Sequence, residues 1–151
     1  MSSSAEGPAG GNPLLGTWKL KSYVVTTNAG IRSTPFGEHP TGYLTYSDDG
    51  RMHAIGTADG RIVPQSAAAT DEEQLALFKT MFAYAGTYTV EAGTVIHHVD
   101  ISWNEAWNGT DQVRFYELQG STLIITASDT DPDSGSELHY VVAWEKGEGP
   151  H

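Results

Sequence analysis

Apolar and polar residues alternate with a period of two along most of the chain, and turn pairs interrupt the alternation at short intervals. Leu14 to Thr27 alternates and ends at Asn28-Ala29-Gly30. Gly42 to Ser47 runs into Asp48-Asp49-Gly50, and Arg51 to Thr57 runs into Asp59-Gly60. Gly86 to Glu91 turns at Ala92-Gly93 into Thr94 to Trp103. Thr110 to Leu118 turns at Gln119-Gly120 into Ser121 to Ala127, and Glu137 to Lys146 closes the series. Asp-Gly and similar pairs supply the positive φ angles that tight hairpins demand. With the weaker pieces Ile31–Ser33 and Arg61–Val63, the pattern predicts roughly eight to ten antiparallel strands, the number expected of a closed barrel or sandwich.

One segment reads differently. Thr70-Asp71-Glu72-Glu73 is a capping box, and Leu75, Phe78, Met81, Phe82 and Ala85 follow at helical spacing. This predicts one short helix of about four turns, ending near Tyr84–Gly86, with its apolar stripe in the core. Residues 1–12, rich in Ser, Gly, Ala and Pro, read as a disordered tail, and 148–151 as a flexible end. Residues 13–147 then form one domain.

Composition narrows the chemistry. The chain has 151 residues, no cysteine and a formal net charge of −11. Without cysteine there is no disulfide framework, thiolate metal site or cysteine nucleophile. The acidic balance argues against nucleic acid or anionic membrane as partners. No apolar run approaches the roughly 18–20 residues of a membrane span, and Met1 to Gly11 has no signal-peptide apolar stretch. A cytoplasmic location is the expectation.

Several stretches then become familiar. Leu15-Gly16-Thr17-Trp18, Gly42-Tyr43-Leu44-Thr45-Tyr46 and Asp49-Gly50-Arg51-Met52 are the first three. Tyr84-Ala85-Gly86-Thr87-Tyr88, Val95-Ile96-His97-His98-Val99 and the run Trp107 to Arg114 are the others. In order and spacing they resemble the small bacterial and fungal lipocalin-like domain family, over nearly all of Pro13 to Lys146. Glu105-Ala106 departs from that pattern, where a proline is expected shortly before Trp107. The resemblance implies an all-β, antiparallel lipocalin-like barrel with Trp18 closing the floor. It also implies an internal cavity for a small, mostly apolar molecule, and some barrels of this kind act as cyclases or isomerases in natural-product pathways.

The candidate chemistry lies on the strands 94–103 and 110–118, which should pair as a hairpin. Alternation places Val95, His97, Val99, Ile101 and Trp103 beside Val113 and Phe115 on one face. The other face then carries Ile96, His98, Asp100 and Ser102 beside Gln112, Arg114 and Tyr116. A hairpin centre near residue 106 or 107 sets His98 opposite Arg114 or Tyr116. Two arrangements are open. Either the apolar face is inside and His97 is a lone core histidine, or the polar row lines the cavity as a hydrogen-bonding constellation.

On the second arrangement His98 is a general acid/base, with Asp100 as its neighbour, and Arg114 and Tyr116 stabilise a developing oxyanion. Tyr46, Met52, Tyr88, His97, Gln112, Trp107 and Phe36 are candidates to contact the substrate. That set suits cyclisation, isomerisation or dehydration of a polyketide-like molecule and needs no metal or organic cofactor. The alternative is a non-catalytic carrier or sensor of a small hydrophobic metabolite. A homodimer is compatible with either.

Other motifs are weaker. No Gly-x-Ser-x-Gly elbow occurs, and the six histidines lack the His-x-x-x-His spacing of a helical zinc site. A His53, His98 and His139 metal site, or a haem on one inward histidine, stays open as a lesser reading. Asp129 to Gly135 opens like a calcium loop but has Ser134 at the glycine position and Tyr140 at the glutamate position. Asn108-Gly109-Thr110 reads as a turn.

Overall fold

A computed structural model describes residues 12–131 and 133–147. The expected tail over 1–11 and the flexible end over 148–151 lie outside these. Nine strands run in chain order: β1 Gly16–Thr27, β2 Arg32–Ser33, β3 Thr41–Tyr46, β4 Arg51–Thr57, β5 Met81–Glu91, β6 Thr94–Ser102, β7 Asp111–Gln119, β8 Thr122–Thr130 and β9 Glu137–Lys146. A single helix, α1 (Asp71–Lys79), stands between β4 and β5, and a 3-10 turn, Glu105–Trp107, between β6 and β7.

Apart from the β2 flap on β1, each strand pairs antiparallel with its neighbour, and β1 also pairs with β9. The sheet therefore closes on itself as an eight-stranded antiparallel barrel, which leaves no long open edge. β1 manages the closure by serving both partners. Its first residues pair with β3, and it continues along β9 past a register shift between Leu20 and Ser22. An extra residue of this kind bends a strand, as a closing barrel wall requires.

Alternation along each strand fills one end of the barrel with apolar side chains. Leu14, Trp18, Leu44, Tyr46, Met52, Val95 and Leu123 are nearly inaccessible. The Trp18 indole N–H donates to the Leu14 carbonyl at 2.9 Å, so the polar edge of the floor is satisfied. The Lys146 ammonium lies 4.7 Å from the Trp18 ring centroid and donates to the Leu15 carbonyl. Asn12 is tied in here as well, donating to the Tyr88 hydroxyl at 2.6 Å. Among the described residues no helix is long and apolar enough to cross a membrane.

The helix differs from its expectation in length and in burial. The capping box forms, with Thr70 accepting from the Glu73 amide and Glu73 accepting from the Thr70 amide. The helix then ends at Lys79, where the Thr80 hydroxyl turns back to the Ala76 carbonyl at 2.8 Å. Arg61, expected on a weak strand, instead sits in a loop and donates to the Leu77 carbonyl at 2.9 Å. Met81 to Ala85 continue as β5, with Phe82 and Tyr84 alternating inward. A short apolar run fits either period, and pairing with β4 decides it. No helix residue is buried, and Leu75 and Phe78 are about half exposed rather than core.

Candidate functional site

Above the packed floor the barrel opens into a cavity of about 790 Å3, within the range of small-molecule sites. Its rim is aromatic. Phe36 from the loop before β3 packs edge-on to Tyr23 at 4.8 Å and to Phe82 at 5.5 Å. Trp107 from the 3-10 turn packs on Tyr84 at 5.2 Å and on Trp103 at 5.3 Å. Phe78 reaches Trp103 from the helix at 6.3 Å. The half-exposed apolar side of α1 is therefore part of the mouth.

The wall made by β6 and β7 holds the polar groups, in an arrangement neither sequence reading contained. His97 pairs with Gln112, His98 with Asp111 and Val95 with Arg114. The hairpin centre thus falls between Asn104 and Glu105, not on residue 106 or 107. A centre between residues rather than on one exchanges which faces coincide. Inside are Val95, His97 and Val99 with Gln112 and Arg114. Outside are His98 and Asp100 with Asp111, Val113 and Phe115.

The expected constellation is thereby divided. Arg114, Gln112, His97, Trp107 and Phe36 line the cavity. His98 faces out, bonded through Nδ1 to Asp111 at 2.8 Å and through Nε2 to Thr89 at 2.8 Å. Asp100 faces out as well, in a bidentate pair with Arg51 at 2.9 and 3.2 Å. Asp100 is also the extra residue where the β5–β6 register shifts, so Ile101 turns outward rather than inward. Gly86 lies opposite this bulge, where a Cβ would stand 1.9 Å from the His98 carbonyl oxygen. Only glycine admits that approach.

Three further candidates are placed elsewhere. Met52 is floor packing, 1% exposed, and does not line the cavity. Tyr88 donates to the Ser47 carbonyl at 2.7 Å, away from the cavity. The Tyr116 ring packs against the core, and its hydroxyl donates to the Glu91 carbonyl at 3.2 Å.

Thr89, His98 and Asp111 form a hydroxyl–imidazole–carboxylate row like that of a hydrolase relay. They sit on the open outer wall of β5, β6 and β7, with Thr89 and Asp111 exposed. The backbone of adjacent strands is committed to the ladder there, so no amides point at a reacting oxygen. Among the described residues no three His, Asp or Glu side chains converge on a metal position.

Inside, His97 is held at both ring nitrogens. The Tyr46 hydroxyl lies 2.6 Å from Nε2, and the Tyr84 hydroxyl 3.0 Å from Nδ1. Burial, with the positive charge of Arg114 as the next cause, lowers its pKa to about 3. His97 is therefore neutral at physiological pH. Burial also raises both phenol pKa values, against a smaller lowering by Arg114. Arg114 donates to the Val113 carbonyl at 3.1 Å and to Gln112 Oε1 at 3.3 Å. None of the ion pairs among the described residues involves it. A guanidinium with spare donors and no carboxylate is suited to a ligand oxygen.

Tyr84 and Tyr23 line the site but carry no mark of it in the sequence. Tyr84 lies at the end of a run whose spacing fits a helix as well as a strand. Tyr23 is one position of a long alternating strand, and only closure of the barrel brings it to the rim.

Comparison with known proteins agrees with this architecture. The chain is 32% identical over 87 residues to a 4'-hydroxy-3'-methoxypropiophenone carrier protein of Aspergillus oryzae, covering 52% of this chain and 78% of that protein. No solved structure matches it significantly. A family model described as lipocalin-like domain matches residues 15–147, almost the whole barrel. A closed antiparallel cup with its tryptophan floor, matched from end to end by that model, belongs to the lipocalin-like domain family.

Proposed function

We propose that the barrel binds a small, mostly apolar aromatic metabolite of natural-product type, whose carbonyl or phenolic oxygen meets Arg114. One observation carries this reading: an aromatic-lined cavity of about 790 Å3 whose guanidinium has no acidic partner among the described residues. Arg114 is partly buried at the cavity wall, and a ligand oxygen could accept its free N–H groups there. The name of the Aspergillus oryzae relative supports the ligand class, since 4'-hydroxy-3'-methoxypropiophenone is an aryl ketone.

A second reading, cofactor-independent cyclisation, isomerisation or dehydration, draws on Tyr84 and Arg114 facing one cavity. Together they suit an enolate-like oxygen. Carriage is the better supported of the two. A catalyst also needs a proton acceptor. His97 is a weak base with both nitrogens occupied, and His98 and Asp100 lie outside.

Calorimetric titration with 4'-hydroxy-3'-methoxypropiophenone tests the binding. One-to-one saturation is expected, weakened at least about tenfold in Arg114→Ala, as loss of a charged hydrogen bond implies. Absence of saturable binding, or equal affinity in the variant, rejects the reading. Mass analysis of the recovered compound separates the alternatives: unchanged ligand supports a carrier, and conversion that is lost in Tyr84→Phe supports an enzyme.

A further inference from the structure

The hydrogen bonds around His97 have a direction. Neutral imidazole carries one N–H and one bare nitrogen. Tyr46 is 1% exposed, and its hydroxyl has no partner among the described residues except His97 Nε2. Were the ring proton on Nε2, it would point at the Tyr46 oxygen, and the Tyr46 proton would be buried with no acceptor. Leaving such a donor unpaired is disfavoured. The consistent arrangement has Tyr46 donating to Nε2 and Nδ1–H donating to the Tyr84 oxygen. The Tyr84 proton is then unused among the described residues, and Tyr84 lines the cavity.

We propose that the Tyr46–His97–Tyr84 chain is oriented so that Tyr84 is an obligatory donor toward the cavity, which makes the cup selective for ligands carrying an acceptor oxygen at that point. The selectivity deepens the ligand reading above and rests on it. The direction of the chain does not. Tyr84 is the specificity-determining group. Tyr46 is a positioning residue, acting only through the ring between them. A ketone oxygen satisfies Tyr84. A methylene in the same place leaves its proton unpaired, and sites built to hydrogen-bond a polar group reject analogues that lack it.

Two measurements test this. The first is the long-range proton–nitrogen correlation spectrum of the histidine rings in the nitrogen-15-labelled protein at neutral pH, with the His97 signals identified by their loss in His97→Gln. The proton is expected on Nδ1, with Nε2 bare. A proton on Nε2, or an average of the two forms, overturns the proposal. Tyr46→Phe should shift the His97 signals toward such an average, and an unchanged spectrum would show that Tyr46 does not set the direction.

The second compares 4'-hydroxy-3'-methoxypropiophenone with 2-methoxy-4-propylphenol, the same molecule with a methylene in place of the carbonyl. Tyr84→Phe is expected to weaken the ketone about tenfold, the loss of one hydrogen bond, and to tighten the methylene analogue, because no donor is then left unpaired. Equal effects on both probes overturn the selectivity. If the wild-type protein binds neither probe, the ligand reading fails, while the ring spectrum still decides the direction of the chain.

Discussion

His97 and His98 are neighbours in sequence, yet they stand on opposite sides of one barrel wall. His97 is almost fully buried, neutral, and held between two phenols. His98 is partly exposed and bonded to a carboxylate and a threonine hydroxyl. The two arginines nearby repeat the contrast. Arg51 is matched outside by Asp100, and Arg114 faces the cavity without an acidic partner. Outside, water solvates whatever the pairs leave unsatisfied, so complete pairing adds little. Inside, each polar group must find its partner in the protein or in a ligand. The same residue types thus mark a solubilising surface on one face and a candidate binding site on the other.

This contrast can be broken experimentally. The largest effect is expected from His97→Ala, which opens a void and strands the buried Tyr46 hydroxyl. A loss of about 3 kcal/mol or more in urea unfolding is expected. Gly86→Ala should follow at about 2–3 kcal/mol, because the new methyl collides with the backbone at His98 and pushes apart the strands that separate the two faces.

The pH dependence comes next. The folded His97 pKa of about 3 lies below the unfolded value of about 6.5, so the unfolded chain binds the extra proton between these limits. Stability should be full above pH 6.5 and fall as pH drops toward 3, by at most about 1.4 kcal/mol per unit from this group. Unfolding midpoints at pH 7 and pH 5 check the slope, which His97→Gln should flatten. His98→Ala is expected to cost under about 1 kcal/mol. Arg51→Ala should leave the unfolding midpoint unchanged within error. A loss at Arg51 or His98 as large as that at His97 would erase the distinction between the faces.

Much of the barrel is legible in the sequence, because it rests on local signals. Period-two alternation and the Asp-Gly and Gln-Gly turns place the long strands close to where they lie. Trp18, expected at the floor from the family resemblance, is core in the structure. What escaped is what depends on counting residues through irregular backbone. The 3-10 turn at Glu105–Trp107 changes the parity of the β6–β7 hairpin, and the bulge at Asp100 changes the parity within β6. Neither leaves a mark in the alternation, yet together they decide that Arg114 shares a face with His97 and not with His98. The contacts of Tyr46 and Tyr84 with His97 join three strands, β3, β5 and β6, and become visible only once the sheet is closed.

The central claim is that ligand recognition belongs to the inner face of the wall. Isotope-filtered nuclear Overhauser contacts between bound 4'-hydroxy-3'-methoxypropiophenone and the labelled protein test it most directly. Contacts are expected to Phe36, Tyr84, Trp107 and Ile125, the inward groups of the cavity. Contacts confined to Ile96, Ile101 and Phe115 on the outer face would contradict it.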